Sequence, residues 1–300
     1  MTTEQVETRY VTQDVPVRGG ALRVGVWEPA GEAAGTVLAI HGITASHRAW
    51  PLLAGALPDV RVVAPDLRGR GRSNGLPGPY GMPAHAEDMV AVLDAVDVDR
   101  AVVVGHSMGG FVGVVLADRH PDRVAGLVLV DGGMPLTPPQ GVSPDELARA
   151  VLGPAAERLR MTFPDRAAYR EFFRQHPALA RDWSDYVKAY VDYDLEGEEP
   201  ALRPATTLEA LEEDIRELVD GDSVLRAVER MDRPTDWLLA PRGLLDEVPP
   251  LYPDADRAAW AERVPALRPV EVPDVNHYTI VMSERGVQGI LPSIRAALSG

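Results

Sequence analysis

Four short runs of apolar residues without polar alternation constrain this chain more than any other feature: Thr36–Ile40 (TVLAI), Val60–Ala64 (VRVVA), Ala101–Val104 (AVVV) and Leu127–Val130 (LVLV). A strand wetted on one face alternates apolar with polar residues, whereas a strand covered on both faces does not. The four runs are therefore expected to lie side by side in a largely parallel sheet covered by helices. Between them, Pro83–Val96 and Gly110–Arg119 carry helical spacing; Pro83 stands near a helix start and His120-Pro121 stops the second helix. Such alternation of strand and helix argues for an α/β doubly wound domain. Upstream, Tyr10–Pro16 and Ala21–Trp27 flank Arg18-Gly19-Gly20 and read as a hairpin.

The pattern breaks at Met134-Pro135, and from there to Arg233 the chain turns helical, acidic and aromatic. Trp183, Tyr186, Tyr190 and Tyr193 recur at helical spacing along one face, either to pack against a neighbouring element or to line a substrate pocket. Strand signals return in Asp236–Ala240 and Leu267–Val272, and Val287–Leu298 reads as a closing helix. The expected organisation is one α/β core, residues 1–134 and 234–300, interrupted by a folded helical insertion over 135–233. A structureless linker of that length does not fit inside such a domain.

Composition narrows the classes of function. A formal charge of −15 argues against nucleic acid or an anionic membrane as the main partner. With no cysteine, disulfides, a thiol nucleophile and cysteine-ligated metals are excluded. No apolar stretch approaches the ~18 residues of a spanning helix. The opening MTTEQVETRYVTQD lacks the apolar core of a secretory signal, so a cytoplasmic location is expected.

Gly105-His106-Ser107-Met108-Gly109 fits Gly-x-Ser-x-Gly, directly after AVVV and directly before a helical run. A serine there sits on a strained strand-to-helix turn, with the helix N-terminus aiming free N–H groups toward it. A serine hydroxyl needs a base. Of the seven histidines, His277 follows a predicted strand in a loop ahead of the last helix, where it can reach the edge on which Ser107 stands. His106 points from the turn itself with the wrong geometry. The base in turn needs a carboxylate to hold its tautomer. Asp246, beyond the DWLLA strand, is the expected acid; Asp131, at the end of LVLV, is the competitor, and Glu247 is adjacent. The oxyanion of an acyl-transfer intermediate needs two N–H donors. Those of Met108 and of Ile43, in the turn His41-Gly42-Ile43-Thr44, are expected to supply them, while His41 reads as a buried imidazole bonding that loop.

With these residues the chain resembles the α/β-hydrolase fold superfamily. Asp66-Leu67-Arg68-Gly69-Arg70-Gly71-Arg72-Ser73 is similar to its D-x-R-G-x-G-x-S segment, and HGITASHRAW is similar to its oxyanion loop. The resemblance implies a mostly parallel central sheet flanked by helices, with 135–233 placed as a helical cap. It also implies a serine hydrolase using Ser107, His277 and Asp246 on a small-to-medium hydrophobic carboxylic ester or lactone, without cofactor or metal. The partner expected is a small-molecule substrate. Epoxide hydrolases and haloalkane dehalogenases carry aspartate at the nucleophile position and proline in the oxyanion loop, where this chain has Ser107 and Thr44. Two other readings stand beside the esterase: a C–C hydrolase or thioesterase-like acyl-transfer enzyme, and a ligand-binding protein with vestigial turnover.

Overall fold

The strands form where the unalternated runs predict them. In the computed structural model, which describes residues 8–136, 141 and 143–300, eight strands make one sheet. They are β1 (Arg9–Val17), β2 (Gly20–Glu28), β3 (Thr36–Ile40), β4 (Arg61–Pro65), β5 (Ala101–His106), β6 (Val124–Val130), β9 (Thr235–Leu239) and β10 (Leu267–Glu271). A two-residue pair, β7 (Leu195–Glu196) with β8 (Arg203–Pro204), stands apart. The large sheet runs β1-β2-β4-β3-β5-β6-β9-β10, with β2 antiparallel to both its neighbours β1 and β4 and the pairings from β4 to β10 parallel. The expected hairpin is β1–β2, turning at Arg18-Gly19.

Helices cover both faces because the strands are apolar on both. Leu38, Val63, Val103 and Leu129 pack with α2 (Met82–Ala95) and α3 (Met108–Arg119) on one side. Their neighbours Val37, Val62, Val102 and Val128 pack on the other with α1 (Pro51–Ala56) and α12 (Glu284–Ser299). This two-sided burial, at roughly 1.5–3 kcal/mol per large aliphatic side chain, is the main force holding the layers together. Neither α1 nor α10 (Asp254–Arg263) was predicted from periodicity; α11 (Thr279–Met282) is a single turn after the His277 loop.

Between β6 and β9 lie α4 (Pro144–Leu159), α5 (Arg166–Arg174), α6 (Pro177–Ala180), α7 (Asp185–Tyr193), α8 (Leu208–Asp220) and α9 (Asp222–Glu229). Several start on side-chain caps written in the sequence. Asp165 accepts from Ala168 N at 2.7 Å, and Ser143 closes a capping box with Glu146. Residues 1–7 of the expected core, and 137–140 and 142 of the expected insertion, lie outside the described residues. Of these helices, α6 and α7 rest on the C-terminal edge of the parallel strands, whereas α9 packs on α3. Tyr186 Oη donates to Ala49 O at 2.6 Å, Tyr193 Oη to Asp66 at 2.8 Å, and Asn276 Nδ2 to Ala178 O at 2.9 Å. The aromatic stripe thus divides: Tyr186 and Tyr193 fasten the segment to the sheet, and Tyr190 lines a cavity. Among the described residues, no helix is long and apolar enough to cross a membrane.

Candidate active site

Strand β5 ends at His106 and α3 begins at Met108, so Ser107 makes the turn between them alone. Its φ of 54° and ψ of −124° lie where side-chain-bearing residues rarely go. The strain is held by Ser107 N donating to Val130 O at 2.9 Å and Ser107 O accepting from Gly110 N at 2.9 Å. Close backbone approach explains two glycines: a Cβ on Gly109 would collide with the Ile40 carbonyl, and one on Gly132 with the backbone of Ser107.

His277 is brought to the same place. Its carbonyl accepts from His106 Nε2 at 2.7 Å, and the two rings lie 4.9 Å apart. Burial, and then the neighbouring His277, push the His106 pKa well below the ordinary histidine value, so His106 acts as a neutral prop beneath the loop. His277 Nδ1 donates to Asp131 Oδ2 at 2.7 Å, with both residues buried. That bond fixes the tautomer and leaves Nε2 as the bare, basic nitrogen. Among the described residues, neither Ser107 Oγ nor His277 Nε2 has a hydrogen-bond partner. Contacts of this kind commonly tighten only when substrate is bound.

The carboxylate behind His277 is therefore that of Asp131, which corrects the expectation placed on Asp246. Strand β6 lies directly between β5 and β9, so the residue after Val130 stands beside the Ser107 turn. There Asp131 N donates to Leu238 O at 2.7 Å and Asp131 Oδ1 accepts from Ala240 N at 3.0 Å. Asp246 sits further out in a loop, where its side chain keeps 39% of its exposure. It accepts from Arg242 Nε at 2.6 Å and from Asn276 Nδ2 at 2.9 Å. Burial raises its pKa, but those two bonds outweigh it and hold the carboxyl below its ordinary value. Asp246 thus braces the loop next to His277 without touching the imidazole. Glu247, exposed at a cavity mouth, accepts from Leu245 N and is not brought to His277 either.

Met108 is the first residue of α3, so its N–H is one of those without an intrahelical partner. Ile43 lies in the turn after β3, across from the nucleophile: a Cβ on neighbouring Gly42 would stand 3.1 Å from Ser107 Cβ. His41 is fully buried, Nδ1 donating to Gly42 O at 2.8 Å and Nε2 accepting from Leu67 N at 3.0 Å. Burial lowers its pKa to about 4, so it is a neutral strut of the loop. A residue not singled out from the sequence completes this support. Arg70, fully buried, donates from Nε to the Ile43 carbonyl at 2.8 Å and from Nη2 to Ala210 O on α8 at 3.3 Å. Its charge is met by Asp214 of α8 at 2.5 Å, which also accepts from His85 at 3.0 Å. Arg70 therefore ties the Ile43 turn to the helical segment. Only its membership in the DLRGRGRS run hinted at this.

Beneath the helices opens a cavity of about 550 Å³, large enough for a small or medium ligand. Thr44 and Tyr278, next to the Ile43 turn and to His277, form part of its wall, with Phe172, Leu179 and Leu244. Among the described residues no group of three or more His, Asp or Glu side chains could hold a metal ion.

The sheet order, the strained serine turn and the buried Asp131–His277 pair define a class of protein. The alpha/beta hydrolase fold model matches residues 35–198, and the chain belongs to that family. Among curated proteins, it is 44% identical over 115 residues to lipase LipV of Mycobacterium tuberculosis, covering 38% of this chain and 43% of that one. It is 41% identical over 119 residues to the putative carbamate hydrolase RutD of Caulobacter segnis, covering 39% and 44% respectively. The matches thus span less than half the length of these relatives. Among solved structures, E-2-(acetamidomethylene)succinate hydrolase is similar in fold, with a TM-score of 0.76 at 21% identity over 97% of this chain and 100% of that one.

Proposed function

We propose that the protein is a serine hydrolase that cleaves a small-to-medium hydrophobic carboxylic ester or lactone through an acyl-enzyme. The observation that carries this reading is the Asp131–His277 bond, which leaves a bare imidazole nitrogen on a loop held by His106, the residue before a serine at positive φ. His277 takes the Ser107 proton as the hydroxyl attacks the acyl carbonyl. The N–H groups of Ile43 and Met108 receive the oxyanion, and Asp131 steadies the imidazolium. His277 then protonates the leaving alcohol, and water repeats the sequence to free the acid. Residues 135–233 act as a cap whose underside shapes the acyl pocket, and a 550 Å³ cavity supports a modest acyl group over a long lipid chain. The names of LipV and RutD, a lipase and a putative carbamate hydrolase, support hydrolysis at an acyl carbon.

The test is Ser107→Ala assayed on p-nitrophenyl butyrate. The expected loss is on the order of 10⁴-fold or more in kcat, with loss of fluorophosphonate labelling at this residue. A variant that keeps more than about a tenth of the turnover removes Ser107 as the nucleophile.

A further inference from the structure

Along the cavity wall, a succession of rings leads away from His277. Tyr278 lies 5.6 Å from it, His176 lies 5.5 Å from Tyr278, and Phe173 lies 6.3 Å from His176. At the end of this path the guanidinium carbon of Arg158 stands 5.3 Å over the Phe173 ring. Arg158 comes from α4, is only 6% exposed, and lines the same cavity. Its Nη1 donates to Asp194 at 2.6 Å and to Tyr169 Oη at 2.5 Å. Among the described residues, Nε and Nη2 have no hydrogen-bond partner.

A mostly buried guanidinium with two unpartnered nitrogens on the wall of a ligand-sized cavity offers donors to an oxygen acceptor. His176 adds a second donor: its Nδ1 accepts from Ala178 N at 3.3 Å, which leaves the proton on Nε2. Charge decides what kind of oxygen fits. Asp194 already neutralises Arg158, so a carboxylate would bring a net negative charge into a buried site. Glu247 and Asp256, which line the same cavity, would repel it further. A keto, ether or hydroxyl oxygen satisfies the same donors without that cost.

Building on the hydrolase reading above, we propose that Arg158, with His176, anchors a neutral oxygen on the acyl chain, so that the preferred substrates are oxo- or hydroxy-acyl esters over plain alkanoyl or carboxylate-ended ones.

The experiment compares p-nitrophenyl esters of straight-chain acids, of the same acids with a keto oxygen walked along the chain, and of chain-matched dicarboxylic acids. For at least one keto position, kcat/KM should exceed that of the matched alkanoate by roughly tenfold or more, with the carboxylate-ended ester below both. In Arg158→Met/Asp194→Asn, which removes both charges together, the keto preference should vanish while alkanoate turnover stays within about threefold. Arg158→Lys keeps the charge against Asp194 but lacks the fork, and should retain only part of the preference. Calorimetry of methyl keto-alkanoates against methyl alkanoates on Ser107→Ala gives the same comparison without turnover. Equal kcat/KM for keto and plain esters, a keto preference that survives the double variant, or a carboxylate-ended ester that wins would each overturn the proposal. Ser107-dependent hydrolysis of plain esters without keto preference would defeat this inference alone. If no ester is hydrolysed, the hydrolase reading falls and calorimetry decides the Arg158 site by itself.

Discussion

Asp131–His277 and Asp66–His47 are the same chemical object in two places. Each is a buried carboxylate bonded to an imidazole Nδ1, at 2.7 Å and 2.8 Å. They differ in what else the partners touch. His47 Nε2 is occupied by Tyr10 Oη at 2.7 Å, and Asp66 further accepts from His47 N, Arg72 N and Tyr193 Oη, each at 2.8 Å. Burial raises the Asp66 pKa, but His47 and these hydrogen bonds outweigh it and hold it at about 2. Among the described residues, His277 Nε2 instead has no hydrogen-bond partner. A saturated pair can only brace the fold, whereas a pair with one open nitrogen can move a proton.

The sharpest way to break this comparison is at its active half. Asp131→Asn should preserve the fold and lower kcat by on the order of 10⁴-fold, because an amide stabilises neither the required tautomer nor the imidazolium. Asp246→Asn disturbs a half-exposed ion pair with Arg242 and should change kcat by less than about fivefold. Steady-state kinetics on one ester checks both variants. The reverse ranking would return the acid role to Asp246.

The bracing half carries stability. Asp66→Asn leaves the charge-assisted bonds of His47, Arg72 and Tyr193 without their anion, and should cost about 3–5 kcal/mol, read from urea unfolding. The kcat of the folded fraction should stay within a few-fold of wild type. A fall in kcat matching that of Asp131→Asn would erase the distinction between the pairs.

The sheet was legible because burial on both faces leaves a one-dimensional trace, the unalternated runs. The places of Ser107 and His277 were legible because a strand-to-helix turn and a loop before the closing helices are local features. The choice between Asp131 and Asp246 was not local. Both follow strands, and only the order β5-β6-β9 shows that the residue after β6 lies next to the serine turn. Arg70 and Arg158 left still less trace. What makes them matter is convergence from distant segments, Ile43 with Ala210 for one and Asp194 with Phe173 for the other. No spacing along the chain encodes such meetings.

The smallest effect expected is a graded one with pH, and it separates the bracing groups by type. His41 is held neutral by burial, its pKa lowered to about 4, and His106 lies well below its ordinary value for the same reason. Unfolded histidine titrates near ~6.5, so between about 6.5 and about 4 the unfolded chain binds protons that the folded chain refuses. Stability must fall across that window as pH drops. Asp66 behaves differently: its folded pKa of about 2 lies below the unfolded value near ~3.9, so its contribution persists until the pH falls below about 4. Urea midpoints measured from pH ~7 downward should therefore decline in two stages, histidines first and carboxylates after. His41→Gln should flatten part of the upper stage, and Asp66→Asn part of the lower. A midpoint that holds level down to pH ~4 would mean that His41 and His106 are protonated in the folded protein, and the serine turn would then rest on charged props.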